Sequence, residues 1–217
     1  TMKTTYLIES ETGFFDDLNV MLVALSSVTI AAELHNGRIP RYSAGDYITV
    51  ECKHLPLEVR LPLVGPIAVA LAEKKPDRIE LTVVDRDPAL GNEVGGTSGL
   101  SAVIDAVFQP FFTNFYERHI EQIRDKFGNT DTSWPTSWQM GWVVRNAVAH
   151  NGCVYFRSHA HPSVEWRALS ISPADNDTEV LGGFLNWADL LMLAFDMEED
   201  LTGAELPRVK QIDVPDI

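Results

Sequence analysis

The sequence predicts a mainly helical α+β protein: a helical bundle with a small α/β insertion and a two-strand hairpin. Three segments, residues 14–34, 100–127 and 185–199, carry apolar side chains at three- and four-residue steps, which is typical of helices with one buried face. Two shorter segments, residues 47–52 and 78–84, are rich in β-branched residues and indicate strands.

The length of 217 residues suits one large domain, so we expect residues 1–217 to fold as a single domain. Its helical core is expected to combine a first helix over residues 14–34 with a bundle over residues 97–200. Asp16 and Asp17 lie in the first turn of the first helix, where the helix dipole favours negative charge.

A mixed α/β insertion is expected over residues 38–87. Its expected elements are two strands and one short helix, at residues 47–52, 78–84 and 65–73. The loop that follows is rich in Gly, Pro and Asn, and residues 95–99 stand directly before a helix. Such a loop either cradles a phosphate with its free N–H groups or is a plain connection in which Ser98 caps the next helix.

The bundle is expected to begin with a long helix over residues 100–127, which Pro110 should kink. The next helix, over residues 136–150, should open with a capping box, because Thr136 and Gln139 stand three positions apart.

Two strands, at residues 153–156 and 164–171, are expected to follow and to form the hairpin. The last helix is expected over residues 185–199. The tail, residues 207–217, has two prolines and mixed polarity, so we expect it to be loosely held.

Charge and cysteine content restrict the classes of function. The net charge is −14 and the pI is near 4.7, which argues against a protein that coats DNA or RNA, because non-specific affinity needs Lys and Arg on the phosphates. One local site for one phosphate remains compatible with this charge. Cys52 and Cys153 fit no metal or redox motif, so we expect reduced thiols in a cytoplasmic protein, with a disulfide between them as the alternative.

No signal peptide or membrane span is expected. Residues 1–5 lack an apolar segment, and the longest apolar run, residues 20–32, is interrupted by Ser26, Ser27 and Thr29 and is too short to cross a bilayer. We therefore expect no membrane partner.

The segment at residues 145–152, Arg-Asn-Ala-Val-Ala-His-Asn-Gly, holds the densest set of reactive groups. On a helix, Asn146 and His150 share a face because they are four residues apart. An arginine binds phosphate oxygens with a planar fork, and a histidine gives or takes a proton near neutral pH. We therefore take Arg145, Asn146 and His150 as candidate catalytic residues for attack of an RNA 2′-hydroxyl on the adjacent phosphate.

The same residues also have a structural explanation. A histidine near a helix C-terminus interacts favourably with the helix dipole, and Asn-Gly is a common helix stop. In that case Arg145 pairs with a carboxylate such as Glu117 or Glu121.

Two further sets of residues point to other chemistry. A zinc site would use His150, Cys153, His159 and His161, but their spacing matches no standard zinc finger, and we expect no metal ion and no cofactor. Tryptophans at helical spacing either stack bases or, more often, lie in the core. These are Trp134, Trp138 and Trp142.

The motif resembles the signature of HEPN domains, in which an arginine is followed four to six residues later by a histidine. A polar residue directly after the arginine is typical of the family, and Asn146 supplies it. The resemblance covers about residues 100–200, with a long helix before the motif helix and a closing helix after it. It implies a small helical bundle of the kind found in toxins, antiviral defence proteins and ribonucleases.

In active HEPN domains the arginine and histidine cleave RNA without a metal, usually at a composite site across a homodimer. On that pattern Arg145 holds the phosphate, Asn146 orients the histidine and His150 acts as acid or base. Arg157, a basic residue close to the motif, is the second candidate phosphate ligand. The two-fold interface is expected to use the apolar stripe of residues 100–127 or the face of Trp138 and Trp142.

The resemblance implies an endoribonuclease of a toxin or defence system, with RNA as substrate and an antitoxin or another protein as partner. Two alternatives stay open: a non-catalytic HEPN-like module that binds a nucleotide or a protein, and an acidic interaction protein without an active site. The positions of the nearby arginines discriminate between the endoribonuclease and the two alternatives. Arginines that converge on His150 favour the enzyme, whereas dispersed arginines that pair with carboxylates favour the alternatives. They are Arg118, Arg124, Arg145, Arg157 and Arg167.

Overall fold

The structure is a computed structural model that describes residues 2–39, 41–43, 45–86 and 101–212. These residues form five α-helices, a five-stranded antiparallel sheet and a two-stranded hairpin. The α+β class is confirmed, but the sheet is much larger than the small insertion expected from the sequence. The glycine-rich segment at residues 95–99 lies outside the described residues.

The helices are α1 (Phe15–His35), α2 (Gly65–Leu71), α3 (Ser101–Phe127), α4 (Thr136–Ala149) and α5 (Trp187–Thr202). The strands are β1 (Met2–Glu9), β2 (Tyr47–Glu51), β3 (Leu57–Pro62), β4 (Arg78–Asp85), β5 (Val164–Trp166), β6 (Leu169–Ile171) and β7 (Arg208–Ile212). The five helices lie at or within a few residues of the segments predicted to be helical.

The chain divides into two compact units. The sheet unit comprises Thr1–Glu51, Pro56–Phe111 and Leu206–Ile217, and the helical unit comprises Cys52–Leu55 and Phe112–Glu205. The expectation of a single domain stays a prediction.

The strands of the sheet unit lie in the order β2-β3-β4-β1-β7, and every neighbouring pair is antiparallel. Alternate residues of each central strand are buried, so one face of the sheet forms the core of this unit. The buried side chains include Tyr6, Ile8, Val59, Leu61, Ile79, Leu81 and Val83.

The strands expected within residues 38–87 are present, but they are not a separate insertion. β4 pairs with β1 over seven of its eight residues, from Lys3 opposite Val84 to Glu9 opposite Arg78. The pairing of β3 with β4 stops at Arg60, opposite Thr82. Pro62 stands two residues later, at the next position that would need to donate an N–H to β4, and proline has none.

The prediction of a loosely held tail over residues 207–217 is wrong for residues 208–212. This segment is β7, an edge strand that pairs with β1 from Tyr6 opposite Arg208 to Met2 opposite Ile212. Local polarity does not reveal it, because an edge strand is fixed by backbone pairing with a distant partner. Residues 213–217 lie outside the described residues.

Helix α1 extends beyond the apolar run on which the sequence expectation was based. It has 21 residues and is long and apolar enough to cross a membrane by length and composition, with 28% of its most apolar window buried. Its buried side chains belong to the core of the sheet unit and come mostly from its first three turns. They include Phe15, Leu18, Met21, Leu22 and Leu25.

The helical unit is built around α4, which packs against α5 and β5. Trp138 is fully buried and its Nε1 donates a hydrogen bond to the carbonyl oxygen of Met197 at 2.9 Å. Trp134 is also buried and donates to the carbonyl of Gly128 at 2.7 Å. Core packing is therefore the role of both tryptophans, and they are unavailable for stacking on bases.

The capping box expected at the start of α4 does not form. Pro135 is the N-cap, so no side chain caps the helix, and Gln139 Nε2 donates instead to the carbonyl of Trp134 at 2.8 Å. A capping box does open α5, where Asn186 and Asp189 exchange side-chain and backbone hydrogen bonds.

The hairpin lies at residues 164–171 alone, between β5 and β6. Arg167 has a positive φ of 52° and makes the tight turn that divides the single strand expected there. The strand expected at residues 153–156 is reduced to one bridge between Cys153 and Glu179. Both Cys52 and Cys153 are free thiols, so the disulfide alternative is excluded.

Part of the surface expected to form a two-fold interface is buried. The aromatic stripe of α3 is buried within the chain, as is Trp138 on α4. Trp142, the other residue of the expected face on α4, is half-buried, so the two-fold interface stays a prediction. The buried aromatic residues of α3 are Phe108, Phe111, Phe112, Phe115 and Tyr116.

Candidate functional site

The end of α4 separates the motif residues. The N–H groups of His150 and Gly152 both donate to the carbonyl of Ala147, at 2.9 and 2.8 Å, and Asn151 has a positive φ of 56°. His150 is therefore the C-cap rather than a helical residue, with φ −119° and ψ 50°. The four-residue spacing from Asn146 to His150 no longer places both side chains on one helical face, because the helix stops between them.

Arg145 and Asn146 line a cleft of about 260 Å³ between α3 and α4. His150 and Arg157 are not among its lining residues. The cleft combines four charged groups with an apolar and aromatic wall. Its lining residues are Tyr116, Glu117, Ile120, Glu121, Arg124, Trp142, Arg145 and Asn146.

Each arginine of the cleft has a carboxylate partner on α3. The Nε of Arg145 lies 2.5 Å from Oε1 of Glu117, and the two side chains are 40% and 50% exposed. Arg124 forms an ion pair with Glu121. The four formal charges of the lining sum to zero, so the cleft is polar without being strongly basic.

The Tyr116 hydroxyl adds a neutral polar group to the cleft. Burial raises the pKa of Tyr116 above its ordinary value, and the guanidinium groups of Arg145 and Arg124 only partly oppose this effect. The phenol therefore stays protonated at neutral pH and offers one donor and an acceptor.

His150 lies on the exposed surface, where its ring stacks on Tyr155 with 3.9 Å between centroids and 23° between planes. Arg157 follows Tyr155 by two residues and is also exposed. The structure thus divides the predicted catalytic and phosphate-binding residues into two groups. Arg145 and Asn146 share the cleft, whereas His150 and Arg157 lie outside it.

Trp142, for which the sequence left base stacking and core packing as alternatives, lines the cleft. It is half-buried, and the ring of His161 stacks on it with 5.3 Å between centroids and 18° between planes. His161 is held in turn by Asp131 Oδ2, 2.9 Å from its Nε2, and by the carbonyl of Pro162, 2.7 Å from its Nδ1. Trp142 therefore has a fixed ring plane beside the cleft.

Arg167 is paired with a carboxylate outside the cleft. Arg167 forms a bidentate pair with Asp196, with Nε to Oδ2 at 2.8 Å and Nη2 to Oδ1 at 2.9 Å. Arg124, Arg145 and Arg167 thus each bind a carboxylate and do not converge on His150. Within the described residues, no three His, Cys, Asp or Glu side chains are grouped as a metal site.

Comparisons with protein-family models, with curated proteins and with solved structures find no match to this chain.

Proposed function

We propose that the protein is a non-catalytic HEPN-like module that binds a nucleotide in the cleft between α3 and α4. The observation that carries this proposal is the position of two guanidinium groups, Arg124 and Arg145, in one cleft with the half-buried ring of Trp142. The order of helices supports an HEPN-like bundle, since α3 precedes the motif helix α4 and α5 closes the unit.

The phosphate of a nucleotide can replace the carboxylates that now hold the arginines. Exposed ion pairs contribute only about 0–1 kcal/mol, so the release of Glu117 from Arg145 costs little. A phosphate offers more charge and a geometry that matches the guanidinium fork. Two arginines on one cleft are enough for one phosphate group, in keeping with a net charge of −14 that disfavours a long nucleic-acid footprint.

The apolar wall supplies a place for the base. Ile120 and Trp142 line the cleft together with the neutral hydroxyl of Tyr116. Stacking of a base on an aromatic side chain contributes about 1–3 kcal/mol and tolerates any base. Asn146 adds an amide that can donate and accept hydrogen bonds at the base or the sugar.

The position of His150 favours binding over cleavage. A general acid or base must come within hydrogen-bond reach of the proton that it transfers. His150 is the C-cap of α4, stacks on Tyr155 and does not line the cleft. A nucleotide held by Arg145 would therefore lack this proton-transfer group in a single protomer.

Calorimetric titration with adenosine diphosphate tests the proposal. We expect saturable binding, and we expect Arg145→Lys to raise the dissociation constant about tenfold, because a point charge does not reproduce the guanidinium fork. Arg167→Lys is the matched control, since Arg167 is also paired with a carboxylate but lies outside the cleft. Absence of binding at low salt, or equal effects of both substitutions, would exclude a nucleotide site in this cleft.

A second candidate function is a metal-independent endoribonuclease of a toxin or defence system, with an antitoxin as partner. One observation favours it: His150 is exposed at the end of α4 and is accessible to groups from a second protomer. RNA cleavage that survives EDTA and is lost in His150→Ala would establish this function. Cleavage that is equal in the variant would exclude the role of His150.

A further inference from the structure

The imidazole ring of His161 is enclosed by other parts of the helical unit. Asp131, in the connection between α3 and α4, contacts its Nε2, and the rings of Trp142 on α4 and of the buried Phe156 pack against it. Only 15% of the His161 side chain is exposed. Polar contacts along its edge and aromatic rings beside it therefore fix this imidazole in one orientation.

Both nitrogens of this ring face oxygen atoms that accept hydrogen bonds. Nε2 lies 2.9 Å from Oδ2 of Asp131, and Nδ1 lies 2.7 Å from the carbonyl oxygen of Pro162. A neutral imidazole has one N–H and can donate to one of these acceptors, whereas an imidazolium donates to both. A carboxylic acid is a stronger acid than an imidazolium, so the proton between the two groups belongs to the ring. The contacts thus favour the imidazolium, with the Asp131 carboxylate as its counter-ion.

The aromatic contacts of His161 pass this order on to Trp142. The imidazole stacks on the indole with 5.3 Å between centroids and 18° between planes, and the ring of Phe156 meets the indole edge to face at 5.5 Å and 65°. A cation over the face of an indole is attracted by its π electrons. Trp142 lines the cleft and His161 does not, so the indole offers the cleft a surface that His161 leaves uncovered.

We infer that His161, with both ring nitrogens protonated, is a positioning residue for Trp142 in the nucleotide site. This inference rests on the proposed function, because it assigns to the indole the task of stacking on the base. A side chain that is ordered only when a ligand binds costs affinity, and for one side chain the cost corresponds to about three- to tenfold in the dissociation constant. His161 removes this cost by fixing the indole before the ligand arrives, and it does not contact the ligand itself.

His161→Phe tests the role of the two hydrogen bonds, because phenylalanine keeps a flat ring beside Trp142 but has no donor. We expect the dissociation constant for adenosine diphosphate to rise about three- to tenfold, and that for inorganic phosphate to stay the same, since phosphate needs the arginines and not the indole. His159→Phe is the matched control, because His159 is an exposed histidine in the same segment, and it should change neither affinity. Circular dichroism checks that each variant is folded.

His161→Arg should rescue the site. A guanidinium is flat and charged, donates several hydrogen bonds and stacks on aromatic rings, so it can bond Asp131 and cover the indole. We expect its affinity for adenosine diphosphate to stay within about twofold of that of the unmodified protein. A residue that only fills space would give the opposite order, with phenylalanine tolerated better than arginine.

Nitrogen-15 NMR of the ligand-free full chain tests the charge of His161 without any nucleotide. At about pH 6 we expect two ring N–H signals for His161, because both protons are held in hydrogen bonds. Their loss in His161→Phe assigns the signals. Asp131→Ala should remove the Nε2–H signal, since that proton then has no acceptor.

Each result decides a separate part of the inference. A single ring N–H signal for His161 in the unmodified protein would overturn it. So would equal losses for both ligands in His161→Phe, an unchanged affinity for adenosine diphosphate in that variant, or a failure of His161→Arg to restore binding. If the unmodified protein bound no adenosine diphosphate, the nucleotide site itself would be excluded, and the role of His161 in it would be excluded with it, whatever the NMR signals show.

Discussion

Arg145 on α4 holds Glu117 on α3, with 2.5 Å between the guanidinium Nε and a carboxylate oxygen. This pair makes Glu117 a competitor for any anion that approaches Arg145. Because both side chains are about half exposed, the pair contributes little to folding and its main effect is on the affinity of the cleft for an anion.

Replacement of Glu117 by glutamine should therefore strengthen nucleotide binding. We expect the dissociation constant for adenosine diphosphate to fall by about three- to tenfold, since one carboxylate no longer competes for the guanidinium. Calorimetry measures the change. Glu51→Gln is the matched control, because Glu51 pairs with Arg86 at 3.1 Å in the sheet unit and should leave the affinity unchanged. Weaker binding in Glu117→Gln would mean that the carboxylate contacts the ligand.

Replacement of Trp142 by alanine should separate binding of the base from binding of the phosphate. We expect the affinity for adenosine diphosphate to fall about tenfold, through loss of base stacking, while the affinity for inorganic phosphate stays the same. Titration with both ligands gives the comparison within a single variant. Equal losses for both ligands would show that Trp142 only shapes the cleft and does not stack on the base.

The carboxylate of Asp189 organises the loop at Cys52–Leu55 in the helical unit. Asp189 is fully buried and accepts backbone N–H groups from Lys53 at 2.9 Å, from His54 at 3.2 and 3.3 Å, and from Leu55 at 3.3 Å. Asp189→Asn removes one acceptor oxygen and should lower the free energy of unfolding by about 3 kcal/mol. Urea denaturation measures this loss, with Asp177→Asn, at an exposed position, as the control.

The difference in the free energy of unfolding between the unmodified protein and Asp189→Asn should depend on pH. Burial raises the pKa of Asp189 above its ordinary value of 3.8, and hydrogen bonds from the backbone N–H groups of Asn186 and of the loop partly oppose this. A carboxyl whose pKa is higher in the folded state contributes most below its unfolded pKa, and this contribution is lost as pH rises through the folded pKa. The stability difference between the unmodified protein and Asp189→Asn should therefore shrink between pH 3.5 and 7. A difference that grows over this range would mean that the hydrogen bonds outweigh burial.

Two glycine substitutions should differ sharply in their cost. A Cβ at Gly183 would lie 1.8 Å from the carbonyl oxygen of Glu179, a contact with rigid backbone, whereas a Cβ at Gly65 meets open space. We expect Gly183→Ala to lower the free energy of unfolding by about 3 kcal/mol, because the backbone must move. Gly65→Ala, in the first turn of α2, should be neutral or mildly stabilising. Similar unfolding midpoints for the two variants would contradict the close packing at Gly183.

The helices were predictable where apolar residues repeat regularly over many turns. Segments such as α1 and α3 repeat apolar residues at three- and four-residue steps over many turns, so local spacing is enough to predict a helix. β1 and β7 were missed because both depend on pairing with strands that are distant in the sequence: β7 pairs with β1, about 200 residues away, and β1 also pairs with β4. The turn at Arg167 was missed because a positive φ at an arginine has no signal in residue type.

The candidate site was predictable in composition but not in arrangement. Arg145 pairs with Glu117, one of the two carboxylates named from the sequence. Asn146 and His150 were expected on one face, but helix geometry ends at Ala149 and the C-cap turns away. Trp142 could have been assigned to the cleft only with knowledge of His161, which reaches it from another segment.

The pairing of β1 with β7 has a consequence for synthesis of the chain. Thr4 lies opposite Lys210, so one side of β1 has no strand neighbour until more than 200 further residues have been made. At about 5–20 residues per second this takes about 10–40 s, and the residues of the helical unit are synthesised in this interval, before those of β7. The nascent chain thus carries an incomplete sheet for most of its translation. A ribosome that stalls before Arg208 would release a protein without the lysine-bearing strand β7, in which the central strand β1 is an edge of the sheet.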